Sequence, residues 1–153
     1  MVSNMAGTIR PATVDDIEGV SDVRVSVHEN PATREGLNGA GITAESTAAY
    51  LTVYGRGWVA EEDGRIVGFS VADARDASIW ALFVRPEYEG RGYGGLLLNA
   101  AVDWLFSQGK ELVWLETGRE TRAFAFYLKR GWVNTGIERR GDTRLELARS
   151  GWR

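Results

Sequence analysis

The order of hydrophobic and polar positions along this chain predicts alternating strands and helices. Residues 57–62 and 65–73 are apolar runs separated by Asp63-Gly64, a pair typical of a two-residue hairpin turn. Residues 78–84, SIWALFV, combine the β-branched and aromatic residues of a buried strand, and Pro86 cannot continue it. The predicted strands cover residues 8–10, 57–62, 65–73, 78–84, 111–116, 132–138 and 143–148.

Helices are predicted where apolar residues recur three and four positions apart. Thr13 and Thr43 are suitable N-caps for the first two helices, and Gly109 stands where a third helix should end. The predicted helices span residues 13–29, 43–54, 96–108 and 120–130, and residues 31–42 are predicted to form a loop. The strand after the third helix should lie parallel to the strand before it.

Four glycines in six residues, Gly90, Gly92, Gly94 and Gly95, lie between the strand 78–84 and the third helix. Glycine lets the backbone adopt positive φ and approach a ligand closely. Amide groups at the start of a helix are unpaired and carry the positive end of the helix dipole, so they attract phosphate. This turn therefore predicts an anion site, with a pyrophosphate as the favoured ligand.

Three other kinds of glycine-rich turn are alternatives to this interpretation. A P-loop is excluded because no Gly-Lys-Ser/Thr sequence closes the turn. A dinucleotide fold remains an alternative, since three of the glycines satisfy G-x-G-x-x-G and Glu116 ends the next predicted strand. The intervening RPEYE segment and the single strand–helix–strand unit argue against it. A plain structural turn is the third alternative.

The composition is that of an ordinary folded domain, with 153 residues, 44% hydrophobic and 25% charged. We predict one domain over residues 1–153, with residues 1–4 as a disordered tail. The absence of cysteine and the single histidine argue against disulfides and against a metal site. The net charge of −3 favours cationic substrates such as amines, and no basic stripe, long apolar run or secretory pattern is present. We therefore expect a cytoplasmic protein that binds neither nucleic acid nor membrane.

The glycine turn resembles motif A of the GNAT superfamily of acyl-CoA-dependent N-acetyltransferases. That motif reads [Q/R]-x-x-G-x-[G/A] and follows a strand that ends in V-x-P. Here the strand ends in Val84-Arg85-Pro86, and residues 89–94 read EGRGYG. Glu89 departs from the usual glutamine or arginine, and its carboxylate is expected to point away from a bound pyrophosphate.

A second resemblance lies in residues 120–132, which are similar to the family's motif B, N-x-x-A-x-x-x-Y-x-x-x-G-F. Ala123, Tyr127 and Gly131 match in register, while Glu120 replaces the asparagine and Trp132 the phenylalanine. The resemblance implies that Tyr127 is the general acid, because a leaving thiolate needs a proton source as its charge develops. The alternative is that Tyr127 packs its ring and bonds a backbone carbonyl.

The element order coincides with that of the family over nearly the whole chain. The resemblance implies an α/β fold with a mixed, mostly antiparallel sheet of about seven strands, splayed between the fourth and fifth strands and flanked by about four helices. It also implies acetyl-CoA as the acyl donor, with no metal. The residues implied to bind the donor are Leu82, Phe83 and Val84 for the pantetheine, Gly90, Arg91, Gly92, Tyr93, Gly94 and Gly95 for the pyrophosphate, and Glu120 at the asparagine position.

The implied reaction transfers an acetyl group to a primary amine of a small molecule or a protein by direct attack. Glu116 is the favoured base, with Glu61, Glu62 and Asp73 as alternatives, and a mechanism without a dedicated base is also open. A non-catalytic CoA-binding sensor or interaction module is the rival interpretation, motivated by the departures at Glu89 and Glu120.

The acceptor cleft implied by the resemblance lies between the first two helices and the closing hairpin. The residues expected near it are His28, Glu29, Asn30, Tyr50 and Tyr54. Trp58 and Trp132 are the tryptophans expected to form pocket walls. The exposed edge of the closing hairpin would permit a homodimer.

Overall fold

A seven-stranded mixed sheet forms the centre of the structure, a computed structural model that describes residues 7–152. The strands are β1 (Thr8–Pro11), β2 (Gly55–Glu62), β3 (Arg65–Asp73), β4 (Ser78–Val84), β5 (Leu112–Gly118), β6 (Val133–Arg139) and β7 (Asp142–Ala148). Their order across the sheet is β1-β2-β3-β4-β5-β7-β6, and only β4 and β5 are parallel. The predicted mixed sheet of seven strands is confirmed. The tail predicted at residues 1–4 lies outside the described residues.

Five α-helices accompany the sheet in the described part of the chain, one more than the sequence predicts. They are α1 (Ile17–Ser26), α2 (Arg34–Gly39), α3 (Ala44–Ala49), α4 (Tyr93–Ser107) and α5 (Arg122–Lys129). Helix α2 lies in the segment that was predicted to form a loop. Its first turn is capped by Thr33, whose hydroxyl accepts a hydrogen bond from the Gly36 amide over 3.0 Å, and this cap outweighs the low helix propensity of glycine.

The first two helices differ from their predicted extents at their C-terminal ends. Helix α1 ends at Ser26 because Val27 is extended, and Asn30 then adopts a positive φ of 55°. Helix α3 begins at the predicted Thr43 cap and passes into a π-turn over Tyr50–Tyr54 before β2 starts. None of the helices in residues 7–152 is long and apolar enough to cross a bilayer.

The parallel strands β4 and β5 separate after a single paired position, Ser78 opposite Trp114. Next to it, the Trp114 amide donates to the Ala77 carbonyl over 3.2 Å. Strand β4 also carries a bulge against β3, because Val71 faces Ala81 and the following residue faces Ile79, which leaves Trp80 unpaired. The predicted splay between the fourth and fifth strands is confirmed, and it opens a cleft in the sheet.

The two faces of the sheet are covered by different helices. Helix α4 packs on one face through fully buried residues, among them Leu97, Leu98, Ala101 and Leu105. The opposite face packs against α1 and the π-turn through a second cluster, whose buried members are Val20, Val23, Leu51, Val59, Phe69 and Val71. Because α1 and α4 lie on opposite faces, the cleft between β4 and β5 is approached by different side chains from each side.

An ion pair fixes the start of α1 to β1. Asp16 is 7% exposed, and its carboxylate accepts from both terminal nitrogens of Arg10 over 2.9 Å and from the Thr13 amide over 2.8 Å. The Arg10 hydrogen bonds lower the pKa of Asp16, against the opposing effect of burial. This pair therefore positions the helix that forms one wall of the cleft.

Acid should remove the stabilisation that Asp16 provides. Because its folded-state pKa lies below the ordinary value, the unfolded chain takes up the proton first as the pH falls. The contribution is complete above about pH 4 and is lost as the pH falls through the folded-state pKa. Urea unfolding should show the stability gap between wild type and Asp16→Asn constant near neutral pH and narrowing below about pH 4. Asp15→Asn, at the exposed neighbouring carboxylate, is the control, and a gap that does not change with pH contradicts the assignment.

Candidate functional site

A cavity of about 1450 Å³ lies where β4 and β5 separate. It is larger than most ligand pockets, which measure about 300–1,000 Å³, and it is therefore large enough for an extended ligand. The predicted site residues that line it are Leu82, Phe83, Val84, Gly90, Gly92, Tyr93, Gly94, Gly95, Glu116 and Tyr127. Arg91 and Glu120 are both exposed and lie outside this lining set. The structure thus brings ten of the predicted residues together around one space.

The glycine turn has the backbone geometry of an anion site. Gly90 and Gly92 adopt φ angles of 81° and 95°, the left-handed region in which a side chain is strained. Helix α4 begins at Tyr93, and its first hydrogen bond runs from the Leu96 amide to the Gly92 carbonyl. Within residues 7–152, no turn or loop hydrogen bond uses the backbone amides of residues 90–95 as donors. These amides are available to an anion in the cavity.

A cationic side chain that the sequence analysis missed lies beside this turn. The Arg130 guanidinium packs so closely on Gly95 that a Cβ atom there would overlap it, and it also lies 4.6 Å from the centre of the Phe126 ring. Arg130 lines the cavity and forms no ion pair with the described residues. The available signal was its position three residues after Tyr127, about one helical turn further on and directly after the last residue of α5.

Arg91, the arginine expected to contact phosphate, is held elsewhere. Its guanidinium pairs with Glu62 over 3.0 Å and lies 4.7 Å from the centre of the Tyr88 ring. The Tyr93 hydroxyl donates to the same Glu62 carboxylate over 2.5 Å. Burial and this carboxylate raise the pKa of Tyr93 to about 12. The side chains of Arg91 and Tyr93 therefore anchor the start of α4 to β2.

Tyr127 presents a buried phenol to the cavity. It is 6% exposed, and its ring makes edge contacts with Phe126 and Trp132 at centroid distances of 5.4 Å and 5.7 Å. Its hydroxyl has no hydrogen-bond partner in the part of the chain that is described, so the alternative of a bond to a backbone carbonyl finds no support there. Burial raises the pKa of Tyr127, so the hydroxyl stays protonated and can donate a hydrogen bond into the cavity.

Two of the four candidate bases line the cavity. Glu116 accepts from Arg139 through Nε over 3.1 Å and through Nη2 over 3.0 Å. Asp73 is 3% exposed; burial would raise its pKa, but hydrogen bonds from Arg75 outweigh burial and lower it. Glu61 and Glu62 lie outside the lining set. Within residues 7–152, the acidic and histidine side chains form no cluster suited to a metal ion.

The opposite wall of the cavity contains most of the residues expected at the acceptor cleft. His28, Glu29, Asn30 and Tyr50 line it, whereas Tyr54 does not. The expectation that Trp58 and Trp132 form pocket walls is wrong, because both are buried in the core. Trp80 and Trp114 line the cavity instead. The bulge at Trp80 turns its ring towards the cavity, where it stacks on Tyr50 at 3.8 Å between ring centroids.

A polar bridge crosses the mouth of the cavity. The Glu29 carboxylate, in the loop after α1, accepts from the Arg122 amide at the start of α5 over 3.1 Å. The Arg122 guanidinium pairs with Glu89, which follows β4. The Arg122 guanidinium thus offsets the negative charge of Glu89, which stands next to the free amides of the glycine turn.

Comparison with known proteins identifies relatives of this fold. The model of the acetyltransferase (GNAT) family matches residues 31–132. An uncharacterized N-acetyltransferase of Methanocaldococcus jannaschii is 33% identical over 84 residues, which cover 48% of this chain and 37% of that protein. A ribosomal-protein alanine N-acetyltransferase of Haemophilus influenzae is 29% identical over 80 residues, covering 51% of this chain and 55% of that protein. The matches thus span about half or less of these relatives.

Solved structures with the same fold match almost the whole chain. The PaiA N-acetyltransferase of Thermoplasma acidophilum, solved in complex with coenzyme A, has a TM-score of 0.79 at 20% identity, covering 94% of this chain and 99% of that one. A putative acetyltransferase of Salmonella typhimurium, solved with acetyl-CoA, has a TM-score of 0.72 at 19% identity and covers 94% of both chains. These likenesses show the fold, and the family model covers two thirds of the sequence. The chain belongs to the acetyltransferase (GNAT) family.

Proposed function

We propose that this protein transfers an acetyl group from acetyl-CoA to a primary amine of a small molecule or a protein. The observation that carries the proposal is one continuous cavity that joins the free amides of residues 90–95 to the Tyr127 hydroxyl through the gap between β4 and β5. The relatives named as N-acetyltransferases and the fold neighbours solved with coenzyme A or acetyl-CoA support it.

The residues around the cavity fit the parts of acetyl-CoA. Beyond Ser78, the edge of β4 that faces β5 has no strand partner, so the backbone of Leu82, Phe83 and Val84 can pair with the pantetheine amides as an added strand would. The amides of residues 90–95 would hold the pyrophosphate at the start of α4. Arg130 would add the charge-assisted contact that the sequence analysis gave to Arg91.

Tyr127 is assigned the role of general acid. Acetyl-CoA supplies an activated thioester, in which attack by the amine nitrogen on the carbonyl carbon breaks the C–S bond and releases a thiolate. The Tyr127 hydroxyl donates its hydrogen bond, and then its proton, to the sulfur as that bond breaks. The nitrogen loses one proton as the amide forms, and this proton returns to the Tyr127 phenolate, which restores the acid. Because the amine attacks the thioester directly, no covalent enzyme intermediate forms.

The attacking amine must first lose a proton, because an alkylammonium has a pKa of about 10. Glu116 remains the favoured acceptor of this proton, through water. It lines the cavity two residues after Trp114, the last position at which β5 pairs with β4. Its ion pair with Arg139 fixes its position. Asp73 also lines the cavity, but hydrogen bonds from Arg75 outweigh burial and lower its pKa, which weakens it as a base.

Acetyl-CoA should bind with micromolar affinity in a calorimetric titration, and NAD should not bind.

Gly94→Ala should weaken acetyl-CoA binding by about tenfold, or about 1.4 kcal/mol, because the new methyl group would lie between the lining residues Val84 and Phe126, at 4.0 Å and 3.8 Å. The variant should fold normally, since both distances are ordinary contacts. Gly39→Ala, at a helical glycine with open space around it, is the control. Equal affinity in wild type and Gly94→Ala contradicts the phosphate site, and binding of NAD alone supports a dinucleotide fold.

Arg130→Gln should weaken acetyl-CoA binding, whereas Arg91→Gln should lower the stability of the fold. Loss of the Arg130 charge should raise the Kd for acetyl-CoA about ten- to a hundredfold and leave unfolding nearly unchanged. Loss of Arg91 should lower the free energy of unfolding by about 1 kcal/mol, because Glu62 loses a partner, with little change in Kd. Calorimetry and urea unfolding on both variants measure the two effects. The reverse pattern would restore Arg91 as the phosphate contact.

Tyr127→Phe should lower kcat by about a hundredfold or more while acetyl-CoA affinity stays the same. The ring keeps its packing against Phe126 and Trp132, so only the proton donor is lost. Tyr54→Phe, at a tyrosine outside the cavity lining, is the matched control. Unchanged kcat in Tyr127→Phe contradicts the general-acid role. Tight acetyl-CoA binding by wild type without turnover of any amine in a broad panel would favour the non-catalytic binding module.

A further inference from the structure

Arg24 is a charged side chain in the cavity that the proposed reaction does not use. It belongs to α1, lines the cavity and is partly buried. Its guanidinium lies 4.4 Å from the centre of the Phe83 ring, and Nη1 donates to the Asn30 carbonyl over 3.0 Å. These two contacts hold the group in place and leave Nε and Nη2 without a hydrogen-bond partner in the described residues.

Arg24 differs from most of the arginines around it because it has no ion-pair partner in the described residues. Six arginines line the cavity, and four of them, Arg34, Arg75, Arg122 and Arg139, pair with carboxylates. Arg24 and Arg130 form no ion pair within residues 7–152. Burial lowers the pKa of Arg24, and no acid offsets that effect. A partly buried charge without a counter-ion is costly, so an anionic ligand would stabilise this arrangement.

No carboxylate within residues 7–152 forms an ion pair with Arg24. Each glutamate that lines the cavity already has a partner, in an ion pair or a hydrogen bond: Glu18 has Arg34, Glu29 and Glu89 have Arg122, and Glu116 has Arg139. Asp73 is likewise paired with Arg75. Asp76 and Asp142, the other two lining aspartates, form no ion pair with Arg24. Arg24 thus has no acidic partner among the residues that line the cavity, and an anionic ligand could supply one.

The acyl donor is a poor source for this anion. Its phosphates belong at the start of α4, which packs on the opposite face of the sheet from α1 and Phe83. Its pantetheine arm, which would lie along β4 beneath Arg24, carries no charge. The acceptor side of the cavity, with His28, Asn30 and Tyr50, shares the α1 wall with Arg24.

We propose that Arg24 binds a carboxylate on the amine acceptor, so that the substrates are amines that also carry an acid group. This inference rests on the proposed acetyltransferase function and specifies its acceptor. The planar guanidinium presents Nε and Nη2 side by side, the arrangement that binds a carboxylate through two parallel hydrogen bonds. The carboxylate would come either from a free amino acid or from an acidic residue near the N-terminus of a peptide.

Initial-rate kinetics on matched acceptors would test this assignment. One pair of probes is alanine and alaninamide, and the other is the dipeptide amides Ala-Asp-NH₂ and Ala-Asn-NH₂. In one or both pairs, the member with the additional carboxylate should be favoured about ten- to a hundredfold in kcat/KM, through KM. Arg24→Met should reduce that preference to about one with unchanged Kd for acetyl-CoA, and Arg24→Lys should retain part of it.

The controls distinguish failure of this inference from failure of the proposed function. Arg56→Met, at an exposed arginine outside the cavity, should keep the wild-type preference. A wild-type enzyme that acetylates amines without preferring a carboxylate in either pair overturns the role of Arg24 but leaves the function intact. A weaker Kd for acetyl-CoA in Arg24→Met would also overturn it, by assigning the arginine to the donor.

An equilibrium measurement decides the case in which no turnover is found. Calorimetry would follow binding of the same four probes to wild type and Arg24→Met, each saturated with CoA. Selective binding of the probes with the additional carboxylate, lost in Arg24→Met, supports the inference even if the proposed reaction fails. Equal affinities in the two proteins, or no detectable binding to either, overturn it.

Discussion

The separation of β4 from β5 is the constraint on which the rest of the site depends. After Ser78 and Trp114, both strands keep their outer partners, β3 and β7, but lose each other. Buried backbone groups that lack partners cost free energy, so such a gap is stable only where water or a ligand satisfies it. The cavity, the free β4 edge and the access of Tyr127 to that edge all follow from this one divergence.

Around the gap, some charged groups already have an ion-pair partner, and others are left free to bind a ligand. Arg139 holds Glu116, Arg75 holds Asp73, and Arg122 draws α5 to the segment that follows β4. These pairs fix the positions of three acidic side chains that line the cavity. The positively polarised groups left without an acidic partner in residues 7–152 are the amides of residues 90–95 and the guanidinium groups of Arg24 and Arg130. An anionic donor and an acceptor with an acid group would each find a separate place.

Features set by neighbouring residues could be predicted from the sequence, and features set by distant contacts could not. Four glycines before an amphipathic helix specify the turn, and the spacing of motif B specifies Tyr127. The choice between Arg91 and Arg130 depends on Glu62, which lies 29 residues from Arg91 and reaches it only when β2 packs beside α4. The bulge at Trp80 likewise depends on the β3 register, because strand alternation alone does not reveal an unpaired residue.

Contacts between distant residues also limit what the net charge of the sequence says about a substrate. A total of −3 favours cations in the long-range field, and salt screens that field beyond about 8 Å. Inside the cavity, Asp73 and Glu116 are already paired with Arg75 and Arg139, whereas Arg24 and Arg130 have no ion-pair partner within residues 7–152. The amine must react in its neutral form in any case, because only its free lone pair attacks the carbonyl carbon. Recognition of the acceptor therefore depends less on its positive charge than on the rest of the molecule.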